Sequence, residues 1–506
     1  MTDHPETQTA GPLAGWTVIE RSLRPAVSYA GGLLTRLGAQ ILVEETDGSD
    51  ALTVDAGRDH ELLWVRRRVG DTPDHDWAEC GAMTLTGPAD GPPLCAPGQP
   101  ASAARGAGLA IEVLSTVLGH TVSLDGGRLL GERAAVAGYS RRGHISAGGS
   151  CRLVRADDGW LAVNLPRAED VDAIPAWLEV VPGDDPWDLI TRACSAAGSA
   201  ELADRAQTLG LPVAGVPQPE EASAYGIDAV EGFPLPPWLI TEISTAETST
   251  TGNAPAEGIT VVDLSSMWAG PLCANLLSLA GLRVVKVEST RRPDGARYGP
   301  RRFFDLLHAG HESVALDFAR KRDLERLRSL LDVADVVIEA SRPRALAQLG
   351  VDRLELLADR PGKVWVSITG YGSVGPAAQR VAFGDDAAAA AGLVCTAAGG
   401  TAVFCGDAIA DPIAGLHAAT ATLAMLAGGR GGLVDVALCG AVNHTLGDEP
   451  VRPATSRTAE QSAGGWVLPA GDRHVEVGAP VAREPTGHAA DLGEHTEAVL
   501  HEFAIR

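Results

Sequence analysis

The residues best suited to covalent chemistry in this chain are Asp411 and its surroundings, Gly406-Asp407-Ala408-Ile409-Ala410-Asp411-Pro412. An aspartate followed by proline reads as a helix start, with the carboxylate at the N-cap and the proline at the first helical position. The same setting suits a nucleophile, because backbone N–H groups and the positive end of the helix dipole hold a carboxylate ionised. An ionised carboxylate can attack a thioester carbonyl and form a covalent intermediate. Capping and catalysis are compatible. Asp385-Asp386 precedes a run of alanines and could pair an acid with a base, or cap and charge a helix N-terminus. His308 and His311 have HxxH spacing, but they fall in a predicted loop before a strand, so no metal site is expected. His417 follows Asp411 in the same predicted helix at a spacing that does not make helical neighbours, which points to a structural role.

Gly370-Tyr371-Gly372-Ser373-Val374-Gly375 is a GxGxxG after an apolar run. Pro376 follows at once and no helix starts at the last glycine, so the segment reads as a glycine loop and not as a dinucleotide cradle. The first βα turn, where that cradle usually sits, is Met267-Trp268-Ala269-Gly270-Pro271. Basic residues gather at Arg283, Lys286, Arg291, Arg292, Arg297, Arg301, Arg302, Arg342 and Arg344. Several fall in predicted loops after strands, the edge where open α/β sheets bind ligands. A nucleotide with a 3′-phosphate and a pyrophosphate would suit such a set. The formal net charge of −24 disfavours nucleic acid as a partner, so an anionic ligand would need a local arginine cluster.

The elements that must position these residues follow from the apolar pattern. Strands are predicted near 259–264, 283–288, 312–317, 334–339, 363–369 and 432–438, with helices at 270–280, 320–332, 343–358 and 411–427. Their alternation predicts a Rossmann-like, doubly wound parallel α/β sheet. Residues 15–45 and 258–288 align without a gap, each as strand, helix and strand, which reads as an internal duplication. A second echo aligns 104–120 with 411–427; Gly108-Leu109 then matches Gly415-Leu416, and Ala104 stands at the position of Asp411. The expected organisation is a truncated Rossmann-like copy over 1–150, a small α+β domain over 151–240 and a polar linker over 241–257. A catalytic Rossmann-like copy over 258–448 and a tail over 449–506 that packs back on copy one complete it.

With 506 residues, 45% hydrophobic and 21% charged, the chain has the composition of a folded globular protein. Aromatics are only 4%, so the core must be built mostly from Ala, Val and Leu. No apolar run is long enough for a membrane span, and the acidic, polar N-terminus lacks the pattern of a signal peptide. The eight cysteines form no CxxC pair and several lie in apolar segments, as free thiols do in a reducing, cytoplasmic compartment.

Taken in order, VVDLSSMWAGPLCANLLSLAGLRVVKVE, SITGYGSVGP, GDAIADPIAGLHAATATLAML, the GRGG before the last strand and LGEHTEAVL resemble the class III CoA-transferases, the formyl-CoA and carnitine CoA-transferase family also called CaiB–BaiF. The resemblance extends into the first half, where RLVRADDGWLAVNLP is similar to the family's small domain. It implies an acyl-CoA:carboxylate CoA-transferase in which Asp411 forms a mixed anhydride and then an aspartyl-CoA thioester. Coenzyme A thioester is then a substrate, with no permanent cofactor. By position, CoA contacts are implied at Trp268, Ala269, Leu316, Ala340, Ser341 and Arg342, and oxyanion-stabilising amides in the loop of Gly370, Gly372 and Gly375. Ala340-Ser341 replaces the family's usual Asn-Phe, Gln348 a frequent Arg, and His311-Glu312 the usual Lys-Arg. The implied assembly is a homodimer, or here a monomeric pseudo-dimer with one active site. The alternatives are an acyl-CoA racemase or epimerase, whose usual histidine is Phe383 here, and a catalytically silent acyl-CoA-binding protein.

Overall fold

The computed structural model describes residues 11–44, 51–55, 63–66, 70–181, 185–217, 237–244, 256, 258–447, 457–470 and 473–506. The first half opens with strand β1 (Thr17–Glu20), the Pro25–Arg36 helix and β2 (Gln40–Val43), followed by β3 (Ala51–Asp55) and β4 (Leu63–Arg66). β1 and β2 are parallel, but β3 runs antiparallel to β1 and β4 antiparallel to β3. The first half therefore holds one βαβ unit and closes with a hairpin. A hairpin needs only a short connection, whereas each parallel neighbour needs a long crossover that this stretch of chain lacks.

Strands β5 (Cys151–Arg155), β6 (Trp160–Asn164) and β7 (Val213–Val216) form a small antiparallel sheet. Helices of the same stretch cover it with Trp177, Ile190 and Leu202. Its other side meets the Gly384–Ala390 helix and the hairpin described next through Cys151, Leu153, Ala162, Ala389 and Phe404.

The second half supplies β8 (Leu239–Ser244), β9 (Thr260–Asp263), β10 (Arg283–Ser289), β11 (Glu312–Leu316), β12 (Val336–Glu339) and β13 (Val364–Thr369). The hairpin of β14 (Val394–Thr396) and β15 (Ala402–Phe404) and the strand β16 (Gly431–Ala437) follow. The main sheet runs β11-β10-β9-β12-β13-β16-β8, parallel throughout except for β8 against β16. β9, β12 and β13 are buried along their whole length, as expected for parallel strands covered on both faces. Strand order reverses between β9 and β12, the point where such sheets form a crevice at their carboxyl ends. Residues 241–244, expected in the linker, are instead part of edge strand β8. The Thr and Ile content that reads as polar linker also favours a strand. The helix predicted over 343–358 is two helices, Pro343–Gln348 and Arg353–Asp359, separated where Gly350 takes φ 70°.

Two 18-residue helices, Pro100–Val117 and Ala410–Ala427, join the halves by packing on each other. Each also packs on the helix of a βαβ unit, Pro25–Arg36 and Ala269–Leu279 respectively. The pairing of Thr17 with Gln40 and Glu20 with Val43 recurs 243 residues on as Thr260 with Arg283 and Asp263 with Lys286. The residues that the two long helices approach keep the same spacing, Ala26 with Ala269 and Tyr29 with Leu272. A Cβ on Gly415 would stand 2.7 Å from Ala269 O and 3.2 Å from Leu272 Cβ; one on Gly106 would stand 2.6 Å from Ala26 O and 3.0 Å from Tyr29 Cβ. These contacts match Gly415 with Gly106 and not with Gly108; on that match Ser102, rather than Ala104, would stand at the position of Asp411. Gly106 and Gly108 are equivalent letters in a sequence comparison, and only the steric contact separates them.

The tail divides between the halves. Cys95 N donates to Arg457 O and Gly478 N to Ala78 O, which holds the sheet of β17 (Glu460–Ser462), β18 (Gly465–Ala470) and β19 (Arg473–Glu476) on the first half. Beyond it, Ala489 N donates to Asp305 and His495 N to Ser313 O, and the Thr496–Glu502 helix packs beside β11. Among the described residues no helix is long and apolar enough to cross a membrane.

Candidate functional site

Asp411 is the second residue of its helix, not the cap; Ile409 is the N-cap and Ala408 before it takes φ 41°. The turn through Gly406, Asp407 and Ala408 thus carries the chain in from β15 and aims the first helical turn at the neighbouring Gly384–Ala390 helix. Gly384 is required there, because a Cβ would meet both Ala408 O and the Asp411 carboxylate. Asp385 accepts a hydrogen bond from Ala408 N at 2.8 Å. Asp386 is bound by Asn164 of the small sheet at 2.7 Å and by Phe383 N at 3.0 Å. The paired aspartates therefore do more than charge a helix end: one ties down the turn before Asp411, the other the small sheet.

The cation of the cluster comes from the first half. Arg133, in the Glu132–Ala137 helix, forms a two-pronged pair with the fully buried Asp407, at 2.8 Å from Nε and 2.6 Å from Nη2. Its guanidinium lies 5.4 Å from the Trp268 ring centre and 5.8 Å from that of Tyr139. Burial alone would lower the Arg133 pKa, but Asp407 overrides it, with Asp385 and Asp411 adding to the upward push. Burial pushes Asp411 up to about 7, Arg133 opposes this, and Asp385 and Asp407 reinforce it. Burial and Asp407 push Asp385 up to about 6, with Arg133 again opposing. The expected depression by the helix dipole is thus outweighed by burial beside two further carboxylates. Asp411 itself is partly exposed.

The other sequence-predicted residues divide. Trp268, buried, caps the Ala269–Leu279 helix and faces Arg133, so Trp268 and Ala269 are brought to the cluster. Gly370 packs on Ala382, where a Cβ would stand 2.7 Å from the alanine methyl, two residues before Gly384. Gly372 and Gly375 take φ 92° and 83°, and between them Ser373 N donates to Asp435 at 2.9 Å. Ala340, Ser341 and Arg342 follow β12, with Ser341 N and Oγ both donating to Glu339 at 2.8 and 2.9 Å. Leu316 ends β11, two strands from β9, and is not among the cluster. His308 ends a helix rather than lying in a loop, and both it and His311 are buried beside Lys286. His417 holds Tyr29 Oη at 2.8 Å and Ile413 O at 2.7 Å, a link between the halves.

The arginine cluster is largely neutralised. Arg283 pairs with Glu312 and Glu502, Lys286 with Asp294, Arg291 with Asp317, Arg297 with Glu288, Arg301 with Asp305 and Arg302 with Glu484. Among the described residues, Arg292, Arg342 and Arg344 have no carboxylate within ion-pair distance. Arg133 and Asp407, the pair at the centre of the site, were not singled out by the sequence. The short spacing of Asp407 from Asp411 is its sole one-dimensional signal; for Arg133 there is none.

Residues 256–479 match the family model described as CoA-transferase family III. That match bears out, over this segment, the resemblance read from the sequence. The alpha subunit of succinyl-CoA–L-malate CoA-transferase from Chloroflexus aurantiacus is 31% identical over 220 residues, 40% of this chain and 50% of that protein. Human succinyl-CoA:glutarate CoA-transferase is 30% identical over 181 residues, 34% of this chain and 41% of that protein. The chain thus spans half or less of the length of these curated relatives. A CaiB/BaiF family protein from Brucella suis is similar in structure, with 25% identity, a TM-score of 0.39 and coverage of 42% of this chain and 65% of that one.

Proposed function

We propose that the chain is an acyl-CoA:carboxylate CoA-transferase with Asp411 as its nucleophile. The observation that carries this reading is that Arg133 of the first half grips Asp407, in the turn just before Asp411 on the second half. Asp411 attacks the thioester carbonyl; a C–O bond forms, the C–S bond breaks and CoA leaves as thiolate. The thiolate then attacks the aspartyl carbon of the mixed anhydride, expels the first acid as its carboxylate and leaves an aspartyl-CoA thioester. The incoming carboxylate displaces the thiolate to form a second anhydride, and thiolate attack on its acyl carbon frees Asp411 and the new thioester. No step consumes a proton, so the cluster needs no dedicated base. Trp268, Ala269, Ser341 and Arg342, with Ala340 and Leu316 further along the sheet edge, form the CoA-facing side. Gly370, Gly372 and Gly375 shape the loop whose amides face the oxyanions; the Ser373 amide is already taken by Asp435.

The matching registers of the two βαβ units and of the two glycine contacts support an internal duplication, a pseudo-dimer with one active site. The proposed divisions are the first copy, the small domain around β5 to β7, and the catalytic second copy. In the first copy the residue at the nucleophile position, Ser102, is fully buried and hydrogen-bonded to Asp76 at 2.5 Å, and Arg105 pairs with the same aspartate. That position holds a filled ionic knot in place of a cleft.

The relatives' names make succinyl-CoA and dicarboxylates the first donor and acceptors to try. Incubating the protein with succinyl-CoA and trapping with hydroxylamine is expected to leave a hydroxamate on Asp411, absent in Asp411→Asn. No modification at 411 with any of a panel of acyl-CoAs would overturn the reading in favour of a silent binding protein. A second reading, epimerisation at the acyl α-carbon, draws on Asp385, a further carboxylate of raised pKa next to the Asp411 turn. Deuterium uptake at Cα without a carboxylate acceptor would select it.

A further inference from the structure

Beneath the crevice, outside the Asp411 cluster, lies a buried lysine with a complete set of unusual neighbours. Lys286 of β10 is 2% exposed; its ammonium donates to Ser265 O at 2.9 Å and lies 3.0 Å from Asp294 and 3.6 Å from Asp263. Two buried imidazoles, His308 and His311, close the far side. Burial, then the lysine charge, lowers both, so they pack as neutral rings. None of these groups touches the proposed nucleophile.

One of their connections runs to the turn that carries Trp268. Asp294 Oδ1 accepts from Met267 N at 2.9 Å and from Ala296 N at 2.9 Å, while Asp294 N is itself fixed by Glu288. Met267 takes φ 74°, a left-handed conformation that is costly for a residue with a side chain. The next residue is Trp268, whose ring lies against Arg133.

The chain contains its own control. In the corresponding βαβ unit of the first half the register places Val43 opposite Glu20, where the second half has Lys286 opposite Asp263. Without a lysine, burial pushes Glu20 up to about 7. Arg24, at the position of Met267, is extended with φ −68°, and Pro25 stands for Trp268. The half that lacks the aspartate nucleophile thus also lacks the lysine and the left-handed turn.

We infer that Lys286 and Asp294 are positioning residues, which hold the Met267–Trp268 turn in its left-handed form so that Trp268 backs Arg133 at the active site. The inference rests on the Asp411 reading for its consequence in catalysis but not for its structural claim. The test uses the full chain labelled with 5-fluorotryptophan, with the Trp268 resonance assigned by its loss in Trp268→Phe. Asp294→Ala and Lys286→Met are expected to shift that resonance, with circular dichroism confirming a folded chain. Asp294→Asn, which keeps an acceptor for Met267 N, is expected to leave it in place. Adding Met267→Gly to Asp294→Ala is expected to return it, because glycine takes positive φ without strain. Rates of acyl-CoA turnover should fall about tenfold in Asp294→Ala, the scale of one lost buried hydrogen bond, and recover with Met267→Gly. An unmoved Trp268 resonance in folded Asp294→Ala, a shift in Asp294→Asn as large as in Asp294→Ala, or no return with Met267→Gly would overturn the inference. If Asp294→Ala does not fold, the Asp294→Asn and Met267→Gly single variants decide: both must keep the wild-type resonance. A wild-type chain with no transferase activity but with these spectral responses would refute the Asp411 reading alone.

Discussion

Arg133 opposes the upward shift of Asp411, so its removal has a defined effect on the pH dependence of transfer. In the proposed mechanism the nucleophile is the ionised carboxylate, and because burial pushes Asp411 up to about 7 the rate should rise with pH through neutrality. Replacing Arg133 by Gln removes the positive charge, disfavours ionised Asp411 and moves the midpoint to higher pH. An opposite charge beside a carboxylate typically shifts it by about one to three pH units, and because Arg133 is paired to Asp407 and the site is partly open, a shift of about one pH unit is expected. The variant should therefore be about tenfold slower than wild type at pH 6 and close to it at pH 9, where both carboxylates are ionised. Arg133→Lys keeps the charge but not the two-pronged pair with Asp407, so it should keep the midpoint while losing rate. Asp407, fully buried and left without its guanidinium, should also make Arg133→Gln less stable by about 3 kcal/mol. The assay is the initial rate of new acyl-CoA formation, separated by chromatography, across pH 5.5 to about 9.5. An unchanged midpoint in Arg133→Gln, or one displaced to lower pH, would refute the electrostatic reasoning.

Gly384→Ala should remove transfer activity and lower stability by about 1–3 kcal/mol, because the added methyl displaces the Asp411 carboxylate and crowds backbone Ala408 O; hydroxylamine trapping at 411 together with a thermal melt checks this. Ser102→Asp should create no second nucleophile: it places a carboxylate against buried Asp76, and destabilisation of about 3 kcal/mol or more is expected. Intact mass after acyl-CoA treatment should still show a single adduct, and a second adduct would refute the assignment of the first-half position as inert. Gly415→Ala should lower stability by about 1–3 kcal/mol by forcing its helix away from Ala269 O at 2.7 Å; urea titration measures it.

The second-half sheet was legible because its strands are continuous apolar runs. The six predicted strands meet the observed ones within about two residues, the tolerance such patterns have. What escaped were the amphipathic segments with weak or competing signals. The Arg301–His308 helix, with its buried face of Phe303, Phe304 and Leu307, takes in His308, for which the sequence predicts a loop. Residues 241–244 carried the composition of a linker but paired with β16 once that edge was available. The first-half hairpin could not be told from parallel strands, because pairing direction is set by the connection and not by the strand residues.

The site shows the same division between local and relational information. Asp411 was legible through its proline and its motif, and Gly372 and Gly375 through a loop that needs positive φ. The ionisation of Asp411 was not, because the helix dipole is a local property whereas burial beside Asp385 and Asp407 depends on three segments folding together. The dipole term is worth about 0.3–1 kcal/mol, and burial with two carboxylates nearby moves a carboxylate further in the other direction, so the relational term wins. Arg133 is the extreme case. Nothing within its own helix marks it, and it acquires meaning only where the Pro100–Val117 and Ala410–Ala427 helices bring the halves together and Asp407 turns inward to meet it. A carboxylate that must be both enclosed and able to ionise near neutral pH needs a cation that its own segment does not supply, and in this chain that cation is on the other half.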